Sequence, residues 1–257
     1  MDIDALHEMN IVLKRLNEMK NGFLVIRNLN LREKLPESPK WAEVTYLDCS
    51  KNHLSELPDL PNVVELYCTE NNLSALPKLP KIKRLFCSCN KIIILPELSN
   101  VVDLHCAYNK LTTLPELPNV KVIICFENKI VRVPELPNIE IFDCGSNQIA
   151  ELPLMLKLRE LNCSNNKMTV LPKLHSIGRN FNYENTPLYY NPKFNKIHYA
   201  IIDFVNLKIY VDKWRKFNQL SVSTKKEDLH NELLYSPDLP FHKRTEEYQH
   251  WHQNTNL

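Results

Sequence analysis

Glycine is nearly missing from this chain: three residues in 257. Few positions are therefore built for positive φ, and no glycine-rich loop can cradle a phosphate. Long apolar runs are missing too. None approaches the ~18–20 residues that cross a bilayer, and the acidic start Met1-Asp2-Ile3-Asp4 has no apolar stretch of the signal-peptide kind. The expectation is an intracellular protein in a reducing compartment, the cytoplasm or a host's cytoplasm. An excess of one charge is also absent. The 32 Lys and Arg against 30 Asp and Glu leave a net +2, which argues against nucleic acid or a membrane surface as partner. There is no C-x-x-C pair, and His250 and His252 stand at i, i+2 in the tail with no Cys or acidic partner fixed nearby, so no metal is expected. With no nucleophile motif either, the chain reads as a non-enzyme that needs no cofactor.

What is present in quantity is 17 prolines, 29 asparagines and 8 cysteines, and they are periodic. Seven cysteines stand at Cys49, Cys68, Cys87, Cys106, Cys125, Cys144 and Cys163, separated by one constant 19-residue step. Three residues after each comes an asparagine: Asn52, Asn71, Asn90, Asn109, Asn128, Asn147 and Asn166. Two residues before each is Leu47, Leu66, Leu85, Leu104, Ile123, Phe142 or Leu161, and three before that another aliphatic residue, Val44 through Leu158. Each unit closes on Leu-Pro or Val-Pro, as at Leu57-Pro58 and Val133-Pro134. Self-similarity at a fixed period is the mark of a solenoid.

Each residue type has a physical task. The L-x-C segment reads as a short strand with period 2, so Leu and Cys point inward together. Neighbouring units would pair these strands in parallel. The Asn turns the chain off the strand, and its amide can satisfy backbone groups of adjacent coils, building a ladder along the axis. The L-P-x-L-P half, as in Leu114-Pro115-Glu116-Leu117-Pro118, forbids a helix and predicts an extended, polyproline-II-like convex side. The fold class expected is thus an α/β repeat solenoid with a parallel concave sheet. The cysteine column reads as core, because free Cys behaves as a small buried hydrophobe and stacked thiols with parallel Cβ vectors are poor disulfide partners. Cys89 lies outside the column and is the candidate reactive thiol.

Three segments follow. Residues 1–35 carry Leu6, Met9, Leu13 and Leu16 at helical spacing, with Gly22 as a stop signal, and read as a capping helix plus an irregular first coil. Residues 36–190 hold seven clear repeats and a degenerate eighth. In that last unit Asn185 is expected to keep the ladder register, with Asn182 in the cysteine position and Asn180 in the inward leucine position. Residues 191–257 read as a mainly helical cap and tail, with an apolar helix (or a strand around Leu207 to Val211) in 197–217 and further helices in 225–234 and 245–251.

The L-P-x-L-P-x-L-x-x-L-x-C-x-x-N-x-L unit resembles the short leucine-rich repeats of bacterial type III effectors and of giant-DNA-virus proteins, over residues 36 to 190. The Cys column and the Asn- and Lys-rich composition fit the viral group better. The resemblance implies a generic binding scaffold. Some effectors of this type carry a C-terminal ubiquitin ligase with a catalytic cysteine, but no Cys follows Cys163 here. Some viral relatives carry an F-box, for which the first 35 residues are short.

A partner would meet the concave sheet. Its exposed positions should be polar, yet Tyr67, Phe86, His105, Tyr108, Val122, Ile124, Phe126 and Ile141 cluster mid-array, with Arg84, Asp103 and Asp143 among them. That is the composition of a protein-binding hot spot. The competing explanation is that the C-terminal segment covers this patch, or that these residues only favour strand formation. The function expected is a monomeric scaffold that binds another protein on this face. The alternative is an adaptor for a ubiquitin ligase, or a host-modulating effector without a catalytic domain of its own.

Overall fold

The computed structural model describes residues 3–170 and 181–194, together with positions 196, 207, 210, 211 and 213. The chain divides into two compact units, Met1–Tyr190 and Asn191–Leu257. In the second, Asn191 Oδ1 accepts from the backbone N–H of Lys193 (3.1 Å) and Phe194 (3.2 Å), opening a helical stretch at 192–194. Leu207, Tyr210, Val211 and Lys213 are also helical. The segments read from sequence at 225–234 and 245–251 lie outside the described residues.

The first unit opens with helix α1 (Ile3–Glu18). Among the described residues eleven strands follow: β1 (Phe23–Val25), β2 (Arg32–Glu33), β3 (Tyr46–Asp48), β4 (His53–Leu54), β5 (Glu65–Tyr67), β6 (Arg84–Phe86), β7 (Asp103–His105), β8 (Val122–Ile124), β9 (Ile141–Asp143), β10 (Glu160–Asn162) and β11 (Phe181–Asn182). One parallel sheet runs β1-β3-β5-β6-β7-β8-β9-β10-β11, and β2 pairs with β4 in a second. The strands are short because each coil turns off directly after its cysteine. Leu47, Leu66, Leu85, Leu104, Ile123 and six column cysteines from Cys49 to Cys144 are fully buried, as is Cys163. The L-x-C alternation thus sends both residues into the core, where each leucine-sized side chain contributes about 1.5–3 kcal/mol. The proline-bounded half contains no α-helix in the described repeats.

Scarcity of glycine does not mean scarcity of positive φ. The residue two after each cysteine, from Lys51 (58°) through Tyr108 (53°) to Asn165 (53°), sits in the left-handed region in all seven coils. Each such residue costs about 1–2 kcal/mol. The asparagine that follows offsets it. Asn109 Nδ2 donates to the carbonyls of Cys106 (3.1 Å) and Ala107 (3.2 Å) in its own coil and of Cys87 (3.0 Å) in the preceding one. Its Oδ1 accepts from the N–H of Ile92 at 3.0 Å. Asn52, Asn71, Asn90, Asn128, Asn147 and Asn166 repeat the pattern, Asn52 reaching Ile26 O in the first coil. Each amide therefore closes its own turn and ties it to its neighbour.

A second ladder escaped the sequence reading. Asn62, Asn100, Asn119 and Asn138, six residues before a cysteine, donate to the carbonyls of Ala42, Pro80, Ser99 and Pro118 at 2.7–2.8 Å. Lys81 and Lys157 hold the same position in other coils and reach Asn62 Oδ1 and Asn138 Oδ1 at 2.7 Å. The signal was visible as an N-or-K column at the 19-residue period.

Both ends depart from the repeat. The buried face of α1 centres on Val12 and Leu16, with Leu13 only half buried. Arg15 Nη1 donates to Val25 O at 2.8 Å, so the helix occupies a carbonyl on the edge strand that would otherwise be open to pairing. Gly22 is not a helix stop. It lies beyond α1 in the tight turn into β1 at φ 70°, and a Cβ there would meet Glu43 O and Thr45 Oγ1 at 2.6 Å. In the first coil Leu24 pairs with Leu47, and Ile26, fully buried, takes the cysteine position.

The eighth coil is one residue out of the expected register. Leu161 pairs with Phe181 and Asn162 with Asn182, so this interval is one residue longer than the repeat. Phe181 therefore takes the leucine position, Tyr183 (buried) the cysteine position and Asn182 the position between them. Asn185 is not on the ladder. It has positive φ (55°), as the residue two after a cysteine does. The ladder position belongs to Thr186, which is 1% exposed and donates from Oγ1 to Tyr183 O at 2.7 Å. The expectation followed an asparagine where the period had gained a residue and a shorter side chain had taken over.

Candidate functional site

The register of the large sheet sorts its exposed side chains into columns. Tyr67, Phe86, His105, Ile124 and Asp143 align between the inward leucine and cysteine. Arg84, Asp103, Val122 and Ile141 align one column before. All are partly exposed. Phe126 stands next to Cys125 in the adjoining column, half buried. Tyr108 is placed differently. It lies past the end of β7 in the left-handed turn, 53% exposed, and meets Phe126 edge-on with centroids 5.0 Å apart.

Five rings form one continuous stack across five coils. Phe23 and Tyr46 lie parallel at 4.2 Å, and Tyr46 passes the stack to Tyr67 at 5.4 Å. Tyr67 and Phe86 are parallel at 4.6 Å, and Phe86 meets His105 at 4.4 Å. The rings spend their faces on one another and turn their edges to the concave side. Sequence reasoning found the last three members and missed Phe23 and Tyr46. Phe23 precedes Tyr46 by more than one repeat length, outside the 19-residue period, so only the pairing of β1 with β3 reveals it.

Charges on the face are mostly matched. Glu65 and Arg84 form an ion pair across β5 and β6. Arg27 Nη1 lies 3.7 Å from Asp48 Oδ2. Asp103 Oδ1 stands 3.0 Å from His105 Nε2, and that buried oxygen has no aligned hydrogen bond among the described residues. Burial and the neighbouring carboxylates, Asp48 beside Tyr46 and Glu65 beside Tyr67, hold both phenols above their ordinary range.

Past Ile141 the face changes character. Asp143 Oδ1 accepts from Gly145 N–H (3.2 Å) and Asn162 Nδ2 (2.9 Å), and Asn162 Oδ1 accepts from Ser164 Oγ (2.8 Å). Burial pushes the Asp143 carboxyl up, against the pull of those two donors. A depression of about 390 Å3 opens here, lined by Ile124, Ile141, Asp143, Glu160, Asn162 and Phe181 among others.

The thiols are not poised for chemistry. All eight are free. Burial pushes Cys87 and Cys163 up to about 12, and Cys68, Cys106, Cys125 and Cys144 well above their ordinary value. A protonated thiol is neither nucleophile nor metal ligand. Cys89 is exposed in its turn, yet partial burial and the Glu70 carboxylate push it up as well, so its exposure is not matched by activation. Among the described residues no group of three or more His, Cys, Asp or Glu could hold a metal ion, and no helix is long and apolar enough to cross a membrane.

No family profile matches the chain, and neither does any curated protein. Solved structures do. YopM, a leucine-rich effector protein from Yersinia pestis, is 30% identical over 69% of this chain and 54% of its own, with a TM-score of 0.60. The leucine-rich-repeat domain of a Shigella effector is 28% identical over 67% of this chain and 77% of its own, at 0.52. The functional domain of InlJ from Listeria monocytogenes, which includes a cysteine ladder, is 22% identical over 65% and 44%, at 0.51, a likeness of fold alone. The chain spans about half the length of the first structures it matches.

Proposed function

Starting from a leucine-rich-repeat chain of the short, 19-residue kind, we propose that it is a protein-interaction scaffold holding a partner protein against the concave sheet. One observation carries the proposal: the solvated side of the sheet presents an aromatic stack from Phe23 to His105 followed by Val122, Ile124 and Ile141, where a free strand face would be polar. Exposed apolar and aromatic side chains with charged neighbours are what protein interfaces are built from. The ring stack is also rigid, so little side-chain entropy would be lost on docking. The contact residues proposed are Tyr67, Arg84, Phe86, Asp103, His105, Tyr108, Val122, Ile124, Phe126, Ile141 and Asp143.

The test is affinity purification with three baits: the natural chain, Phe86→Ala with Ile124→Asp, and Glu116→Ala in the proline-bounded segment. Partners retained by the convex variant and lost by the concave pair support the reading. A full set of partners on the concave variant sinks it. The likeness to two bacterial effectors favours a second reading, a host-modulating effector that binds without catalysing. Partners drawn from a host proteome, with cullin or Skp-type proteins scored separately as evidence for a ligase adaptor, distinguish the two.

A further inference from the structure

We infer that the depression at the C-terminal end of the concave sheet is a subsite for one basic side chain, an arginine or lysine presented by a protein partner. The inference rests on the reading that a partner occupies this face. Three observations carry it. The first is charge. Asp48 has Arg27 and Glu65 has Arg84, whereas Asp143 has no lysine or arginine partner among the described residues. The second is shape and chemistry. Ile124 and Ile141 form an aliphatic wall beside the carboxylate, which matches a side chain with a methylene stem and a charged head. A volume of about 390 Å3 lies at the small end of the roughly 300–1,000 Å3 of ligand pockets, room for a side chain with its waters.

The third is preorganisation. Gly145 N–H and Asn162 Nδ2 hold one oxygen of Asp143, so the carboxylate is already oriented. Asn162 is fixed in turn by the Ser164 backbone N–H (3.2 Å) and hydroxyl. Gly145 leaves room for this pairing: a Cβ there would stand 3.2 Å from Asn162 Nδ2 and 3.5 Å from Asp143 Oδ1. A carboxylate held in place, half desolvated and without a counterion among the described residues gains more from an incoming cation than one in water. Guanidinium suits it best, since its planar donors can take the remaining carboxylate oxygen while the stem lies on the isoleucines.

The probe is N-acetyl-arginine methylamide, with N-acetyl-citrulline methylamide as its uncharged isostere. Each is titrated into the full chain and read from isoleucine δ1-methyl NMR signals. The arginine probe should shift Ile124 and Ile141 saturably. Citrulline should bind at least about tenfold more weakly, and Asp143→Asn should weaken the arginine probe by a similar factor. Asparagine keeps an oxygen for Gly145 and Asn162, so the coil should stand. If it melts earlier, the comparison of the two probes on the natural chain decides alone. Equal response to both probes, an undiminished response in Asp143→Asn, or no saturable shift overturns the subsite. Probe failure beside partner loss in the Phe86→Ala, Ile124→Asp chain overturns the subsite and leaves the face reading intact. Charge-dependent probe binding beside full partner retention does the reverse.

Discussion

Raising the pH should unfold this protein through its cysteine column, and removing cysteines should blunt that response. A thiol ionises near 9.0 in the unfolded chain, while burial holds Cys87 and Cys163 at about 12 in the fold and pushes Cys68, Cys106, Cys125 and Cys144 well above their ordinary value. A group whose folded value is raised contributes stability that is complete below its unfolded value and declines as pH climbs toward the folded one. The window is therefore pH 9 to 12. Cys87 and Cys163 should each cost about 0.4 kcal/mol between pH 7 and 9 and about 1 kcal/mol between pH 9 and 10. Cys87 and Cys163 together remove about 2 kcal/mol over that last unit, and the other buried thiols of the column act in the same direction, against a whole-domain stability of ~5–15 kcal/mol. Urea unfolding in a phosphine reductant at half-unit steps from pH 7.5 to 10 measures this directly. In Cys87→Ala with Cys163→Ala the loss between pH 9 and 10 should shrink by about 2 kcal/mol. Absolute stability will also fall, because two methyl-sized voids open, but the slope with pH is what the argument concerns. Lysines and tyrosines titrate in both chains and cancel. If the two slopes coincide, or stability holds to pH 10, the column is not a stack of buried protonated thiols and the reasoning fails.

Three further outcomes can be checked by chemical or thermal unfolding. Asn109→Leu removes hydrogen bonds to three carbonyls and one N–H in two coils and should cost about 3 kcal/mol, read as a lower urea midpoint at unchanged slope. Gly22→Ala should cost about 2–4 kcal/mol, since a methyl group there meets backbone at positive φ, whereas Gly145→Ala, which touches only side-chain ends, should cost less than about 1 kcal/mol. Thr186→Val should loosen the last coil by about 1 kcal/mol, seen as faster amide exchange at Tyr189, while Asn185→Ala should leave that amide unchanged. The opposite order would restore Asn185 to the ladder.

The repeating middle of the fold was legible because each residue there faces the same neighbours in every coil. A column of Cys, Asn or Leu carries the same physical demand seven times, and the pattern survives a Phe142 or an Ile123 in place of leucine. What the period could not carry was read poorly. The left-handed residue of each turn varies freely, from Lys51 to Cys89 to Ser146, because its backbone shape is imposed by the asparagine beside it and leaves no signature of its own. In α1 the expected Leu16 is buried, while Val12 is buried more fully than the expected Leu13, since the two are equally apolar and only packing selects between them. The aromatic stack was half seen for a related reason: Phe23 comes from a coil whose spacing is not that of the repeat, and Tyr46 stands in the column of Glu65 and Arg84, not in that of Tyr67 and Phe86.

The slip in the last coil shows how much of the candidate site hangs on register. At a 19-residue interval Phe181 would have continued the column of Ile124, Asp143 and Asn162, and the face would have ended on another aromatic ring. With the extra residue, Phe181 pairs with the inward Leu161, and Asn182 follows Asp143 and Asn162 in the outward column. A one-residue shift exchanges the two faces of a strand, so the end of the sheet becomes an acid and two amides instead of an aromatic. The apolar surface therefore stops at Ile141, beside the Asp143 carboxylate. A partner that follows the face from Phe23 meets rings, then aliphatic side chains, then Asp143. Its own chemistry should run in the same order, apolar first and basic last, and that polarity fixes the direction in which it lies on the sheet. Reversing the order of apolar and basic residues in a bound peptide, at constant composition, should abolish its affinity if this is so.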